Sequence, residues 1–265
     1  MKVLLIGDIF GRPGRDIVRK LLGPYRKENG IDVVIANGEN ASAGRGCTAE
    51  NFHEILAAGV DVVTMGDHIW DKKELLDVID KTDFLVRPAN YPEGAPGKGA
   101  TVVNIQKRAI AVVNLQGRVF MQPPIDCPFR KADAILPKLR EQTPLIFVDM
   151  HAEASSEKVA MGWYLDGRVT AVVGTHTHVP TDDARVLPGG TAYVSDLGIT
   201  GPVDSIIGMN KDDVLKRFLE AVYVPFTVPK TGRVHLNAVL VDADETTGKA
   251  RSIGRVRLEA LAENL

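Results

Sequence analysis

The sequence is poor in cysteine. It has two, Cys47 and Cys127, far apart. That excludes a disulfide framework and an all-cysteine zinc site, and it reads as free thiols in a reducing cytoplasm. It also lacks a charge bias: 32 basic side chains against 34 acidic ones give a formal net charge of −2. A broad binding surface for duplex nucleic acid needs a basic excess, so that class is excluded, while a pocket for one phosphate is not. Long apolar runs are missing too. The first run, Val3 to Gly7, stops at Asp8, too soon for a signal-peptide core. None approaches the roughly 20 residues that cross a bilayer, so no membrane partner is expected. Repeats, low-complexity tracts and linkers are absent as well. The expectation is one cytoplasmic domain over residues 1–265, large enough to bury its own core.

What is present is a repeated pattern of strand, polar loop and helix. Val3 to Gly7, Val33 to Ala36 and Val62 to Met65 read as buried strands. Helices are expected from Pro13 to about Glu28, from Thr48 as N-cap through Ala58, and over Asp71 to Ile79. This is an α/β pattern with a largely parallel core. Residues 87–99 read as a loop, and Thr101 to Ile105 with Ala109 to Leu115 as a hairpin. Further helices are expected over Ala132 to Arg140, Glu157 to Trp163 and Asp212 to Ala221. Further strands are Leu145 to Val148, Ala171 to Val173 and Thr191 to Ser195, with a C-terminal hairpin of Val234 to Val241 and Ser252 to Leu258. The sum is two packed mixed sheets flanked by helices.

Ligands of α/β sheets collect beyond the carboxyl ends of the strands, and five strands end there in metal-ligand residue types. Asp8 follows the first, Glu39 and Asn40 the second, Asp67 and His68 the third. His151 follows Asp149, and His176 and His178 lie in Gly174-Thr175-His176-Thr177-His178. Taken singly, each has an ordinary alternative: Asp8 as a helix N-cap, Glu39 as a solvated acid, Asn40 as a turn residue, His151 as a core imidazole. Their coincidence at successive strand ends argues for ligation. A mixed oxygen and imidazole set without clustered thiolates suits Mn, Fe or Zn rather than Ca. Seven of these, Asp8, Glu39, Asn40, Asp67, His151, His176 and His178, exceed the needs of one tetrahedral ion and divide between two ions sharing Glu39, as in sites of phosphoryl transfer.

The runs Gly7-Asp8, Asn37-Gly38-Glu39-Asn40, Gly66-Asp67-His68 and Gly174 to His178 resemble the calcineurin-like metallophosphoesterases. With Arg87 to Pro92, Asn114 to Arg118, His151 to Lys158 and Gly201-Pro202, the chain more closely resembles their bacterial YmdB-like branch, whose members include phosphodiesterases acting on 2′,3′-cyclic nucleotides. The resemblance implies a four-layer αββα sandwich. It implies one ion on Asp8, Glu39, Asn40 and His178 and a second on Glu39, Asp67, His151 and His176, with iron or manganese as the metals. It further implies hydrolysis of a small phosphodiester by metal-bound hydroxide, His68 assisting the leaving oxygen, and a homo-oligomer. A phosphomonoesterase or nucleotidase on the same site, or a weakly active nucleotide-binding regulator, are the alternatives.

Two positions depart from the family. Asp67 stands where the pattern has Asn, which adds a negative charge beside the metals and His68. Ile9-Phe10 replaces the superfamily's usual continuation after Asp8, so Asn40 is expected to fill the missing ligand place. Arg12 and Arg118 are candidates to meet the phosphate, with surface solvation as an equal alternative. Glu153 is expected to orient His151. His53 and His235 read as structural, and Trp70, Trp163 and Tyr164 as core packing.

Overall fold

A computed structural model describes residues 1–265. The first part of the chain forms β1 (Lys2–Ile6), α1 (Gly11–Asn29), β2 (Val33–Asn37), α2 (Ala49–Ala57), β3 (Val62–Thr64), α3 (Leu76–Ile79) and β4 (Leu85–Val86). The second forms β5 (Ala100–Ile105), β6 (Arg108–Gln116), α4 (Pro128–Arg140), β7 (Ile146–His151), α5 (Ser155–Tyr164), β8 (Ala171–Thr175), β9 (Arg185–Val186) and β10 (Ala192–Val194). The chain closes with β11 (Gly201–Pro202), α6 (Lys211–Glu220), β12 (Arg233–Ala243) and β13 (Ala250–Leu261).

One sheet has the order β11-β12-β1-β2-β3-β4, with β13 paired to β12; the other has β5-β6-β7-β8-β10-β9. Each has a parallel centre, β1 to β4 in one and β6-β7-β8-β10 in the other. Antiparallel strands flank both centres, so the sheets are mixed, as expected.

Side-chain alternation along the buried strands builds the layers. Leu4 and Ile6 join a core with Ile17 and Leu22 of α1 and Phe52 and Ile55 of α2. Val3 and Leu5, on the opposite face, join Val112, Phe147, Val173 and Val194 of the other sheet. A third core seats Leu136 of α4 and Met161 of α5 on Val113, Val148 and Val172. The order is helix, sheet, sheet, helix. No helix is long and apolar enough to cross a membrane.

Local chemistry sets most boundaries. The Thr48 hydroxyl accepts from the Asn51 N–H at 3.1 Å and starts α2. Gly30, left-handed at φ 62°, ends α1. Gln106 and Lys107, at φ 50° and 66°, make the two-residue turn between β5 and β6. Three features differ from expectation. The helix expected over 71–79 is a 3₁₀ turn at Lys73–Leu75 followed by the single turn of α3. The strands β4, β9 and β11 have two residues each, too few to carry a periodic signal. Trp163 and Tyr164 are 53% and 41% exposed rather than in the core. Gly162 faces Tyr193 so closely that a Cβ there would lie 2.4 Å from the ring, which turns the next two side chains outward. Trp70 does pack inward, edge-on to Tyr91.

Phe147 is 1% exposed between the sheets. Phe147→Ala is expected to cost about 3–5 kcal/mol, because the sheets cannot close over the lost ring; urea unfolding measures it.

Candidate metal centre

The ends of β1, β2, β3, β7 and β8 meet at one rim of the sandwich, three strands from one sheet and two from the other. The donors therefore converge from both sheets rather than along a single edge. Carboxylate or imidazole atoms of Glu39, Asp67, His151 and His176 all lie within 4.8 Å of one another. His151 Nε2 is 3.1 Å from Glu39 Oε1 and 3.0 Å from Asp67 Oδ1. His176 Nδ1 is 3.3 Å from the same Asp67 oxygen. Beside this group, His178 Nε2 is 3.3 Å from Asn40 Oδ1 and 3.9 Å from Asp8 Oδ1. The Asn40 amide N–H donates to Gly44 O at 3.1 Å, which turns its oxygen toward His178. Asp8 is not the N-cap of α1; that position is Phe10.

Backbone shape makes the convergence possible. His176 and His178 have φ of 96° and 65°, so the chain after β8 coils and both rings reach the rim. Gly66 leaves room for the donors: a Cβ there would lie 2.3 Å from both Glu39 Oε2 and His151 Nε2.

The donor set fits divalent cations. Asp8 Oδ1 is buried with no hydrogen-bond partner, a costly state for a carboxylate unless a cation meets it. Burial drives the Asp8 carboxyl up to about 8, against the pull of His151. Burial also opposes charge on Glu39 and Asp67, but His151 holds both below their usual values, with His176 adding to the pull on Asp67. Burial likewise opposes charge on His151, yet Glu39 and Asp67 hold it well above its usual value. Burial lowers His178. The rim thus concentrates carboxylates that bound cations would neutralise.

A second set of residues, not assigned a role from sequence, fixes these donors. Asp149 is 4% exposed between the sheets. It accepts from Thr64 Oγ1 at 2.5 Å, Asn37 Nδ2 at 3.1 Å and Thr175 Oγ1 at 2.7 Å. Thr175 Oγ1 lies 2.8 Å from His151 Nδ1. The hydroxyl proton goes to Asp149, so Nδ1–H donates to Thr175 and Nε2 is left to face the centre. Lys158 and Asp196, 2% and 1% exposed, pair at 2.7 Å. Both hold Thr177: Lys158 Nζ donates to its hydroxyl at 3.2 Å, and that hydroxyl donates to Asp196 at 2.6 Å. This locks the residue between the two histidines. A carboxylate inside the apolar run Leu145 to Met150 was the one sequence signal for Asp149, since a buried acid must be paired.

His68 lines a 660 Å³ cleft with His176 and His178. Its Nδ1 is 2.9 Å from Asp71 and 3.6 Å from Asp67. Glu153 meets His176 Nε2 at 3.2 Å rather than His151, whose outer nitrogen is taken by Thr175. Arg12 pairs with Asp16 at 3.3 Å and lines a separate 830 Å³ cavity, while Arg118 lines one of 460 Å³. His53 packs on Phe52, and His235 pairs with Glu259.

A family model described as YmdB-like protein matches residues 4–256. A Bacillus subtilis protein, named 2′,3′-cyclic-nucleotide 2′-phosphodiesterase, is 50% identical over 97% of this chain and 96% of its own. The crystal structure of a protein from Mycoplasma pneumoniae described as a novel phosphatase superposes with a TM-score of 0.91 at 34% identity, covering 98% of this chain and 93% of that one. A 5′-nucleotidase structure from Staphylococcus aureus, with a TM-score of 0.61 at 13% identity over 97% of this chain and 54% of that one, shows the shared fold.

Thr175→Val removes the hydroxyl that orients His151. Metal retention is expected to weaken by about 10–100-fold, with Thr175→Ser close to wild type; chelator competition with metal analysis measures both.

Proposed function

The chain belongs to the YmdB-like family, and on that premise we propose that it is a metal-dependent phosphodiesterase acting on small phosphodiesters, 2′,3′-cyclic nucleotides above all. The observation that carries the reading is the division of donors at the rim, four around His151 and Asp67 and the rest around His178 with the unpartnered Asp8 oxygen. Glu39, Asp67, His151 and His176 would hold one divalent ion. Asp8, Asn40 and His178 would hold another, with Glu39 shared. Iron or manganese suits this nitrogen and oxygen set, and zinc is compatible. Bound there, such ions supply polarisation of a phosphoryl oxygen and activation of water.

The chain's own groups do the rest. His68 sits in the same cleft as the donors. Asp71 accepts from its Nδ1–H, which leaves Nε2 as the nitrogen free for proton exchange with the substrate. Opening a 2′,3′-cyclic phosphate at O2′ adds water to phosphorus, breaks the P–O2′ bond and requires a proton on O2′. We assign that proton to His68. The free thiols support a cytoplasmic location, and the family resemblance extends the proposal to a homo-oligomer.

The test is turnover of adenosine 2′,3′-cyclic phosphate by manganese-loaded protein, beside a phosphomonoester. Preference for the diester is expected. A protein that retained no transition metal and cleaved no diester would sink the reading.

His68→Ala is expected to slow cyclic nucleotide hydrolysis by about 100-fold or more. It should slow bis-p-nitrophenyl phosphate far less, because nitrophenolate leaves without a proton. Initial rates on both esters check this.

Asp67→Asn removes one negative charge from the site that receives an anion. A unit charge about 5 Å away is worth roughly 3 kcal/mol at an effective dielectric constant of about 20. Turnover is expected to rise by about tenfold or more, with metal content retained; kcat and metal analysis of the variant decide it.

A further inference from the structure

The 660 Å³ cleft has two unlike halves. One carries the donors and His68. The other is an apolar wall that hydrolysis of a phosphodiester does not use. The loop before α6, α6 itself and the segment after it supply that wall: Ile207, Met209, Phe218 and Phe226, with Arg217. Phe218 is 74% exposed and Ile207 55%, in a chain that buries most of its large apolar side chains. Exposed apolar surface of this kind inside a cleft marks a ligand.

The wall is built rather than loose. Ile207 has φ 44°, in the left-handed region that a β-branched residue rarely enters. The turn is held by Ile206 and Met209, which exchange backbone hydrogen bonds at 2.8 and 3.0 Å, and by the Gly208 N–H donating to Ser205 Oγ at 3.0 Å. The Ile207 carbonyl lies 2.9 Å from His178 Nδ1. The loop that presents Ile207 is therefore tied directly to a residue of the donor cluster. In the same lining, the Arg217 guanidinium lies 4.9 Å from the centre of the Phe226 ring, within cation–π range.

We propose that Phe218, backed by Ile207, Met209 and the Arg217–Phe226 pair, is the stacking platform for the nucleobase of the substrate. This rests on the phosphodiesterase reading and deepens it. The phosphate lies at the donors and the base at the apolar wall of the same cleft, so the preferred substrates are nucleoside cyclic phosphates rather than base-free diesters. Every nucleobase has a π-face, and stacking on an aromatic ring accepts all of them. The platform therefore selects for the presence of a base more than for its identity.

The experiment compares adenosine 2′,3′-cyclic phosphate with glycerol 1,2-cyclic phosphate, which has the same reacting group and no base, on manganese-loaded enzyme. Wild type is expected to favour the nucleotide in kcat/KM. Phe218→Ala should reduce that preference about tenfold or more, chiefly through KM, and Phe218→Trp should keep it. Leu219→Ala, on the same helix, 82% exposed and outside the cleft, should leave it unchanged. Equal turnover of both esters by wild type would overturn the platform and leave the phosphodiesterase reading standing. A preference untouched in Phe218→Ala, with a changed sedimentation mass, would overturn it too and make α6 a contact between copies. Should wild type cleave neither ester, the phosphodiesterase reading fails. Calorimetry of 3′-AMP against ribose 3-phosphate then decides the platform alone: tighter nucleotide binding that Phe218→Ala removes supports it, and equal binding overturns it.

Discussion

The carboxylate of Asp149 sits between the two sheets and takes hydrogen bonds from Asn37 of β2, Thr64 of β3 and Thr175 of β8 while belonging itself to β7. Four strands from both sheets are thereby registered at the rim where their carboxyl ends meet. A buried acid tolerates little misplacement, since a lost donor leaves it unsatisfied at a cost of about 1–3 kcal/mol or more. The same carboxylate sets the direction of Thr175 and hence the ring of His151. The rest of the centre depends on this registration, because donors from five strands converge only if the sheets hold one alignment.

Charge is the second organising fact. The chain is nearly neutral as a whole, but its rim gathers Asp8, Glu39 and Asp67 around three imidazoles. Such a cluster repels a phosphate until cations enter, and then the cations attract it. A protein without a basic surface can in this way handle an anionic substrate. Asp67 pushes the balance one unit further toward negative. His151 and His176 offset it in part, through hydrogen bonds that hold its carboxyl well below the ordinary range.

The loop after β8 shows how stability is spent locally to shape a site. Its two histidines stand in the left-handed region, a conformation that costs about 1–3 kcal/mol per residue. The buried Lys158–Asp196 pair grips Thr177 between them and holds that geometry. Losing one partner of such a pair strands the other charge in the core. The adjoining strained turn at Ile207 is tied to His178, so a hydrogen bond links the donor half of the cleft to the start of its apolar half.

The sequence by itself determined two mixed sheets flanked by helices and the residues that follow their strand ends. Short apolar runs that stop at polar loops, with helical stretches between them, are local properties, legible without coordinates. The donors were legible because they follow strand ends at fixed short offsets. Two-residue strands, the outward turn of Trp163 and Tyr164, and the 3₁₀ start before α3 were not, since neighbours elsewhere in the chain decide them. The tertiary structure alone decided what supports the donors. Asp149 with Thr64, Lys158 with Asp196, and Glu153 with His176 rather than His151 are separated by 85, 38 and 23 residues. No local pattern encodes such pairs; the packing of two sheets at one rim creates them.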